Sequence, residues 1–245
     1  MNDYSKPLDN AGWSAHYNFD NLNSVVDSIT TANISIWSEE LIKLTNESEK
    51  VLEIGCGSGV SSLWLAKHNR NVTALDYTES SVALVREAAR KIGLSSLRVI
   101  LADATKTLPF TDNEFDLAFQ SGLLEHFSTE EQISLLKNWK HNCRRMVSMV
   151  PNASSIPYRL GKQLLEENGT WEYGLEIPKH SLAKEFTAAG ITVEKEYTIG
   201  TEWALKFLPP KHYIRKIFVK MKKQGYDLDG FMQGYLLVTV GNCEK

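Results

Sequence analysis

Apolar and polar positions alternate in blocks from residue 50 onwards, and these blocks predict strands separated by helices. Short runs rich in Val, Ile and Leu predict strands at 50–54, 71–75, 97–101, 115–119 and 144–150. Stretches with helical spacing of their apolar residues lie between them at 59–68, 79–92 and 129–141. This strand–helix order predicts an α/β fold, a Rossmann-like and mostly parallel sheet with helices on both faces.

The C-terminal half adds two more strands to the predicted sheet. Residues 151–180 are rich in Pro and Gly, and the pattern there predicts irregular structure. The sequence SLAKEFTAAG then predicts a helix capped by Ser181 and ended by Gly190. Strands at 191–198 and 235–240 flank an insertion at 202–230 that is helical after Pro210. We therefore expect seven strands, the last of them antiparallel.

The segments before the first strand predict an arm and one helix. Residues 1–20 combine Asn, Asp and Ser with aromatic residues, and we expect them to form an arm or lid. Apolar residues at helical spacing predict a single helix from Val25 to Leu44. The expected organisation is one domain in four parts: 1–45 (arm and helix), 46–151 (cofactor-binding core), 152–180 (substrate-cap insertion) and 181–245 (remainder of the core with the insertion 202–230).

Composition favours a globular protein of the cytoplasm. The 245 residues are 42% hydrophobic and 23% charged, with a net charge of −3, so no strong overall bias toward nucleic acid, DNA included, or toward an anionic membrane is expected. The three cysteines are far apart and form no CxxC pair, which argues against a disulfide framework or a zinc site and fits a reducing compartment. The polar N-terminus does not look like a signal peptide, and no metal site is expected.

The sequence VLEIGCGSGV, residues 51–60, contains the most informative turn. A phosphate-binding loop requires Lys directly after its last glycine, but Gly59 is followed by Val60 and Ser61, and the next lysine is Lys67. A dinucleotide fingerprint requires its third glycine where Val60 stands. An acidic turn without lysine, preceded by Glu53, suits a ligand that carries positive charge and a small carboxylate.

Later segments occur in the order and spacing of a known family. The series ExGxGxG, LDYTESSV, LADATKTLPF, FDLAFQSGLLEHF and VPN resembles the class I S-adenosylmethionine-dependent methyltransferases. The resemblance is strong over residues 48–151 and weaker over 180–199. It is closest to the small-molecule branch, because the segment after VPN looks like a substrate-type insertion.

The resemblance implies S-adenosylmethionine as the cofactor, S-adenosylhomocysteine as the product, and a set of binding residues. Asp76 offers two acceptor oxygens to the ribose hydroxyls, and Tyr77 packs on the adenine. Asp103 accepts from the adenine amino group, while Glu53 balances the cationic groups indirectly. The full expected set is Glu53, Gly55, Cys56, Gly57, Gly59, Asp76, Tyr77, Asp103, Ala104, Gln120 and Ser121.

The acceptor would bind beside the segment LLEHF. His126 is the candidate general base, and its alternative role is to hold the backbone of that segment. The candidate substrate-binding residues mix aromatic rings with polar groups, which suits an amine or another polar acceptor; they are Tyr17, Glu125, Tyr158, Trp171, Tyr173 and His180. The alternative for the insertion is a folded surface loop without a binding role.

The stretch KFLPPKHYIRKIFVKMKK, residues 206–223, has seven Lys or Arg and no acid. Its apolar residues fit one helical face, so it predicts a basic amphipathic helix. The commonest role of such a helix is a solvated element with one packed face, although membrane or RNA contact is an alternative. The expected function is methylation of an O, N or C atom of a small molecule; the alternatives are an RNA or protein methyltransferase, or a non-catalytic module that binds the cofactor.

Overall fold

The sheet of the computed structural model, which describes residues 4–244, has seven strands. They are β1 (Lys50–Ile54), β2 (Asn71–Asp76), β3 (Arg98–Leu101), β4 (Phe115–Ser121), β5 (Cys143–Pro151), β6 (Thr192–Ile199) and β7 (Leu236–Asn242). Their order is β3-β2-β1-β4-β5-β7-β6. Strands β1 to β5 pair in parallel, and β7 is antiparallel to both of its neighbours. The predicted fold class is confirmed.

Ten helices accompany the strands within the described residues. They are α1 (Asn10–His16), α2 (Leu22–Thr30), α3 (Ile36–Leu44), α4 (Val60–Lys67), α5 (Glu79–Lys91), α6 (Thr129–Trp139), α7 (Ile156–Glu167), α8 (Ala183–Ala188), α9 (Thr201–Ala204) and α10 (Tyr213–Lys223). Short 3₁₀ turns lie at Phe19–Asn21, Leu124–His126, Lys140–Asn142, Leu205–Phe207 and Leu228–Gly230.

Both faces of the sheet are covered, which explains the continuous apolar runs in the central strands. Val51 packs in a buried cluster with Leu41 of α3 and Leu65 of α4. Its neighbour Leu52 points to the opposite face and packs in a cluster with Trp139 of α6. Alternate residues of one strand thus enter two cores, because successive side chains point to opposite faces.

The single helix predicted from Val25 to Leu44 is wrong. The chain forms α2 and α3 instead, and Ala32 between them has a left-handed φ of +55°. A non-glycine residue in this conformation cannot continue a right-handed helix. The apolar spacing continues across the break because both helices cover buried residues, so periodicity alone did not reveal it.

Residues 151–180 are not irregular throughout, because α7 occupies Ile156–Glu167. Pro157 lies in its first turn, where the missing N–H costs no hydrogen bond. The predicted start of the next helix is also wrong by one position, since Leu182 is the residue before α8. Ser181 nevertheless accepts a hydrogen bond of 3.1 Å from the amide of Ala183.

The topology fixes where a ligand binds. From β1 the chain continues to β2 and β3 on one side of the sheet, whereas β4 and β5 lie on the other side of β1. The direction of strand order therefore reverses between β1 and β4, and the carboxyl ends of these two strands border the switch point. The four-part division into 1–45, 46–151, 152–180 and 181–245 stays a prediction. Residues 1–3 and 245, at the two ends of that division, lie outside the described residues.

Candidate cofactor and acceptor site

The glycine turn after β1 has a backbone that only glycine adopts easily. Gly55, Gly57 and Gly59 have φ values of +72°, +51° and +69°. A Cβ at Gly59 would stand 2.4 Å from a methyl carbon of Val85 in α5. The turn therefore packs closely on α5 while its backbone amides are held in a tight bend at the switch point. Cys56 is buried within this bend, and burial raises the pKa of its thiol, so it is an inert packing group.

Asp76, at the end of β2, is tied directly to the glycine turn. Its Oδ2 accepts a hydrogen bond of 2.9 Å from the amide of Gly57, and its Oδ1 accepts from the amide and hydroxyl of Thr78. Thr78 uses both lone pairs of Oδ1, whereas Oδ2 has a further lone pair available. The side chain is therefore fixed at the switch point and retains acceptor capacity at Oδ2 for a ligand hydroxyl.

Glu53, at the end of β1, lies under the turn rather than in the open. Its Oε2 accepts from the amide of Ser62 at 3.1 Å and from the Ser62 hydroxyl. Burial raises the pKa of Glu53 to about 8, and the charge of Asp76 contributes in the same direction. Below that pKa Glu53 is mostly protonated, so Asp76 and the lack of lysine in the turn are what disfavour an anion and favour a ligand with cationic groups.

The ends of β2 and β3 place the residues expected at the adenine. Tyr77 is 40% exposed directly after β2. Asp103 is exposed after β3, and its Oδ1 accepts from the amide and hydroxyl of Thr105 at 2.8 Å and 2.7 Å. The carbonyl of Ala104 accepts from the indole N–H of Trp139 at 2.8 Å, which anchors this loop on the core.

Gln120 and Ser121, the two predicted site residues at the end of β4, are placed differently. Gln120 is fully buried, with its Oε1 accepting from the amides of Leu123 and Leu124 and its Nε2 donating to Ser148. Its side chain thus supports the segment 121–126 from below. Ser121 follows it at the surface of the site and is half-buried.

These residues fit S-adenosylmethionine. The turn offers tightly bent backbone amides at the start of a helix for the carboxylate of the methionine part. The carboxylate of Asp76 suits its ammonium and sulfonium charges, and Glu53 supports the turn through Ser62. Asp76 and Asp103 stand at the ends of adjacent strands, where a ribose and an adenine would lie side by side. The binding roles of the individual residues remain proposals.

His126 closes the 3₁₀ turn beside the glycine loop. Its Nδ1 donates to the carbonyl of Leu175, since a carbonyl oxygen can only accept. In the neutral ring Nε2 is therefore the acceptor nitrogen. Burial lowers the pKa of His126, and this keeps the ring neutral near physiological pH. The ring of Trp13 packs edge-on against it, with centroids 5.1 Å apart.

Two buried carboxyl groups lie next to this histidine. Glu125 is 1% exposed, and its Oε2 has no hydrogen-bond partner. Burial raises the pKa of Glu125 well above its ordinary value, and the nearby Glu176 adds to the effect. Glu176 accepts a hydrogen bond from the hydroxyl of the fully buried Tyr158, and burial raises its pKa to about 7. An unpaired buried carboxyl oxygen is costly unless something binds to it.

The N-terminal arm covers this region. The ring of Tyr17 lies against the glycine turn, and it stacks on Trp13 with centroids 6.0 Å apart. Burial raises the pKa of Tyr17, with further contributions from Tyr173, Asp76 and Glu125. The phenol of Tyr17 thus lies within electrostatic range of both Asp76, at the cofactor turn, and Glu125, on the acceptor side.

The structure brings together some of the other predicted acceptor residues and not others. Trp171 and Tyr173 are in edge contact with centroids 5.2 Å apart, and Tyr173 also contacts His16 of the arm. Burial raises the pKa of Tyr173. His180 is exposed and bonded to Ser154 at 2.8 Å, so it packs on the surface apart from these aromatic residues.

Sequence reasoning missed one polar member of this cluster. Lys162 is 8% exposed, forms an ion pair with Glu166, and lies over the ring of Trp171 at 4.7 Å from its centroid. Its position four residues after Tyr158 would have revealed it, had α7 been recognised. Sequence reasoning also missed Tyr235, which directly precedes β7. The centroid of its ring lies 5.1 Å from that of Tyr158.

A cavity of about 970 Å³ lies beside the arm rather than over the carboxylates. Tyr17, Ser58, Val60 and Trp171 contribute to its lining. Asp76, Asp103 and Glu125 do not line it, so cavity size does not locate this site. We locate it instead from the bent glycine turn, the paired carboxylates and the topology.

Comparisons with known proteins agree with this geometry. Residues 51–145 match the family model described as a methyltransferase domain. This matched segment holds the glycine turn and Asp76, and together with the structural neighbours it supports a class I S-adenosylmethionine-dependent methyltransferase. This confirms the predicted family, and S-adenosylmethionine is the cofactor of this family.

Three similar proteins show how far the match to this chain extends. A probable (S)-tetrahydroprotoberberine N-methyltransferase 2 of Papaver bracteatum is 30% identical over 49% of this chain and 34% of its own length. A ubiquinone biosynthesis O-methyltransferase of Pasteurella multocida is 27% identical over 70% of this chain and 60% of its own length. A solved S-adenosylmethionine-dependent methyltransferase of Aquifex aeolicus is 16% identical, with a TM-score of 0.58 over 97% of this chain and 100% of its own, and shows the same fold. The chain thus spans between a third and three fifths of the length of the two sequence relatives.

Proposed function

We propose that this protein transfers a methyl group from S-adenosylmethionine to an oxygen or nitrogen atom of a small-molecule acceptor. The observation that carries the proposal is the unpaired Oε2 of Glu125, buried beside the cofactor turn. A small molecule with an O–H or N–H group would give this oxygen its missing partner. The two sequence relatives named above methylate nitrogen and oxygen, respectively, according to their names.

The buried placement of the acid favours a small acceptor over a macromolecule. Trp13, Tyr17 and Tyr173 surround the acidic groups with aromatic rings, and the arm covers them. A site enclosed in this way admits a compact molecule more easily than an RNA strand or a folded protein.

Bound S-adenosylmethionine would supply a methyl group on a sulfonium, which already carries a good leaving group. The work left to the protein is to align the acceptor and to remove its proton. The segment 121–126 lies directly on the turn, since a Cβ at Gly55 would stand 2.9 Å from the side chain of Leu123. We assign proton acceptance to Nε2 of His126, with Nδ1 fixed on Leu175.

Glu125 then acts as an orienting group rather than as the base. Burial keeps its carboxyl protonated over much of the neutral range, since its pKa is well above the ordinary value. A neutral carboxyl can donate one hydrogen bond and accept another, so it can hold an acceptor that carries both kinds of atom. Glu176, held by Tyr158, would line the far side of the same space.

Transfer of labelled methyl groups tests the proposal. Methyl-labelled S-adenosylmethionine is incubated with the protein and with separated fractions of a cell extract: small molecules, RNA and protein. The expected result is label in the small-molecule fraction, and none with the Asp76→Ala variant. Label in the RNA or protein fraction would establish the corresponding alternative. Tight S-adenosylhomocysteine binding without transfer to any fraction would indicate a binding module.

A further inference from the structure

Helix α10 packs differently from the pattern expected of a solvated amphipathic helix. Ile214, Phe218 and Met221 are half-buried on its inner face, while no residue of the helix is fully buried. Tyr213 and Ile217, which were expected to share the packed face, are 66% and 53% exposed. They lie four residues apart and therefore form one outward-facing pair.

Basic residues flank this outward-facing pair. Lys216, Lys220 and Lys223 follow Tyr213 and Ile217 at intervals of three and four residues, which places them on the same side of the helix. Within residues 4–244 none of these three lysines forms an ion pair, whereas Lys222 on the other side pairs with Glu202. The outer face of α10 thus combines apolar side chains with uncompensated positive charge.

The turn that follows α10 extends the same surface. Tyr226 is 53% exposed and Phe231 is 61% exposed, and their rings are in edge contact with centroids 6.2 Å apart. The amide of Tyr226 donates to the carbonyl of Met221, which fixes this turn on the end of the helix. Four large apolar side chains therefore stand in solvent on one helix and its adjoining turn, where single scattered ones are normal.

The charge distribution makes an anionic partner the complementary one. Residues 206–223 carry seven positive charges in a chain whose net charge is −3, so the remainder carries an excess of ten negative charges. An anionic surface would attract this helix and repel the rest of the molecule, which gives a defined orientation.

The exposed apolar side chains favour a lipid surface over a nucleic acid as the anionic partner. An RNA backbone would neutralise the lysines but would leave the aliphatic Ile217 in water. A lipid interface accepts both, because aromatic and aliphatic side chains enter the headgroup boundary while lysines contact anionic headgroups. Each lysine near such a surface contributes about 1 kcal/mol.

We propose that α10 and the turn 224–231 form a peripheral membrane-binding surface for anionic phospholipid. The helix lies flat on the headgroups, with Tyr213, Ile217, Tyr226 and Phe231 toward the lipid. Among the described residues no helix is long and apolar enough to cross a membrane, so attachment by this surface is interfacial.

The surface adjoins the acceptor site through one aromatic contact. The 3₁₀ turn Leu205–Phe207 precedes α10, and Phe207 contacts the rings of Tyr158 and Tyr235 at 5.1 Å and 4.8 Å. A membrane-bound orientation would therefore bring the acceptor site close to the lipid interface. The membrane proposal itself does not depend on the proposed methyl transfer.

Vesicle co-sedimentation of the whole protein tests the proposal. Vesicles of phosphatidylcholine with phosphatidylglycerol are compared with vesicles of phosphatidylcholine alone, at low and high salt. We expect binding only to the anionic vesicles, with a marked loss at high salt. The double variant Lys216→Glu/Lys220→Glu should weaken binding about tenfold or more, because two attractive contacts become repulsive.

Matched variants separate this surface from general charge and hydrophobicity. Lys91→Glu/Lys137→Glu changes two exposed lysines elsewhere by the same total charge and should leave binding unchanged. Ile217→Ser should weaken binding, whereas Ile156→Ser, at a site that is 69% exposed, should not. S-adenosylhomocysteine affinity reports that each variant is folded.

Three outcomes would overturn the proposal. The first is no sedimentation with anionic vesicles, and the second is equal binding to both vesicle types. The third is a loss in the lysine variant without any loss in Ile217→Ser, together with displacement by RNA, which would indicate a nucleic-acid surface. In each case an unchanged affinity for S-adenosylhomocysteine would leave the proposed methyltransferase function standing.

Discussion

The ring of Tyr17 lies directly on the backbone of Gly57: a methyl group added at Gly57 would stand 2.8 Å from Cε2 of the tyrosine. The arm and the cofactor turn are therefore in van der Waals contact at a point where one extra carbon would separate them. The amide of Gly57 also donates to Asp76, the residue expected to bind the ribose. A substitution at Gly57 therefore affects both the arm and the Asp76 side chain.

Gly57→Ala should displace the arm and weaken S-adenosylhomocysteine binding by at least about tenfold, roughly 1.4 kcal/mol. The matched control is Gly93→Ala, which has a comparable left-handed φ of +75° but no atom within 4 Å of the added carbon. Both variants carry backbone strain, but only the first carries the collision. Titration calorimetry measures the affinity, and limited proteolysis of the arm measures its release. Equal affinity in the two variants would show that the contact is unimportant.

Glu53→Gln should remove part of the dependence of stability on pH. The pKa of Glu53 is raised to about 8 in the folded protein, while the unfolded chain has an ordinary carboxyl. Between these two values the unfolded state binds fewer protons than the folded state, so stability falls as pH rises. The slope for one such group is at most about 1.4 kcal/mol per pH unit.

Urea unfolding at pH 5.5, 6.5 and 7.5, within that window, measures this slope. Glu125 and Glu176 contribute slopes of the same sign in both proteins, so the stability of both should fall as pH rises. Only the wild type has the additional slope from Glu53, so its stability should fall more steeply than that of Glu53→Gln. Glu194→Gln, at an exposed position, is the control and should match the wild type. A slope unchanged by Glu53→Gln would mean that Glu53 is ionised in the folded protein.

His126→Gln should lower methyl transfer in the labelled assay by about 10² to 10⁴-fold, the usual contribution of a general base. The affinity for S-adenosylhomocysteine should stay within a few-fold, because the ring is assigned to the acceptor side. The wild-type rate should fall as pH drops through the lowered pKa of His126, since the protonated ring cannot accept a proton. A variant that retains both the rate and the acid limb would assign His126 a purely structural role.

Tyr158→Phe should destabilise the fold by about 1–3 kcal/mol, because it leaves the buried Glu176 without its hydrogen-bond donor. Tyr197→Phe is the control, since its hydroxyl bonds Glu40 at 2.7 Å in a half-buried setting where water can replace it. Its cost should be smaller. Urea unfolding at pH 7.5 compares the two variants. Equal costs would indicate that water reaches Glu176 in the folded protein.

The central sheet and its cofactor turn were predictable from sequence because their signals are local. Val51 to Ile54 are buried on both faces, so they appear as a short strand-forming run, apolar except for Glu53, before Gly55. The positions of Asp76 and Asp103 follow from their place at strand ends. These features need no knowledge of distant contacts, and the predicted strands agree with the observed ones to within two residues at each end.

The break between α2 and α3 and the acceptor cluster could not be predicted in the same way. Ala32 adopts a left-handed conformation that nothing in its own chemistry favours, so tertiary packing decides it. Glu176 approaches Tyr158 across eighteen residues, and its burial depends on the arm, on α7 and on the start of β7 together. Gly161 in the sequence indicated irregular structure. In the fold it lies within α7 where this helix contacts Phe207, and a Cβ at Gly161 would stand 2.5 Å from the Cβ of Phe207.

Titration calorimetry with S-adenosylhomocysteine decides whether the glycine turn holds this cofactor. We expect micromolar or tighter binding by the wild type, loss of binding in Asp76→Ala, and no binding of NADH. Folding of each protein is checked by circular dichroism, so that a lost signal reports the site. A folded wild type that binds no S-adenosylhomocysteine, or that binds NADH equally well, would contradict the assignment of the glycine turn.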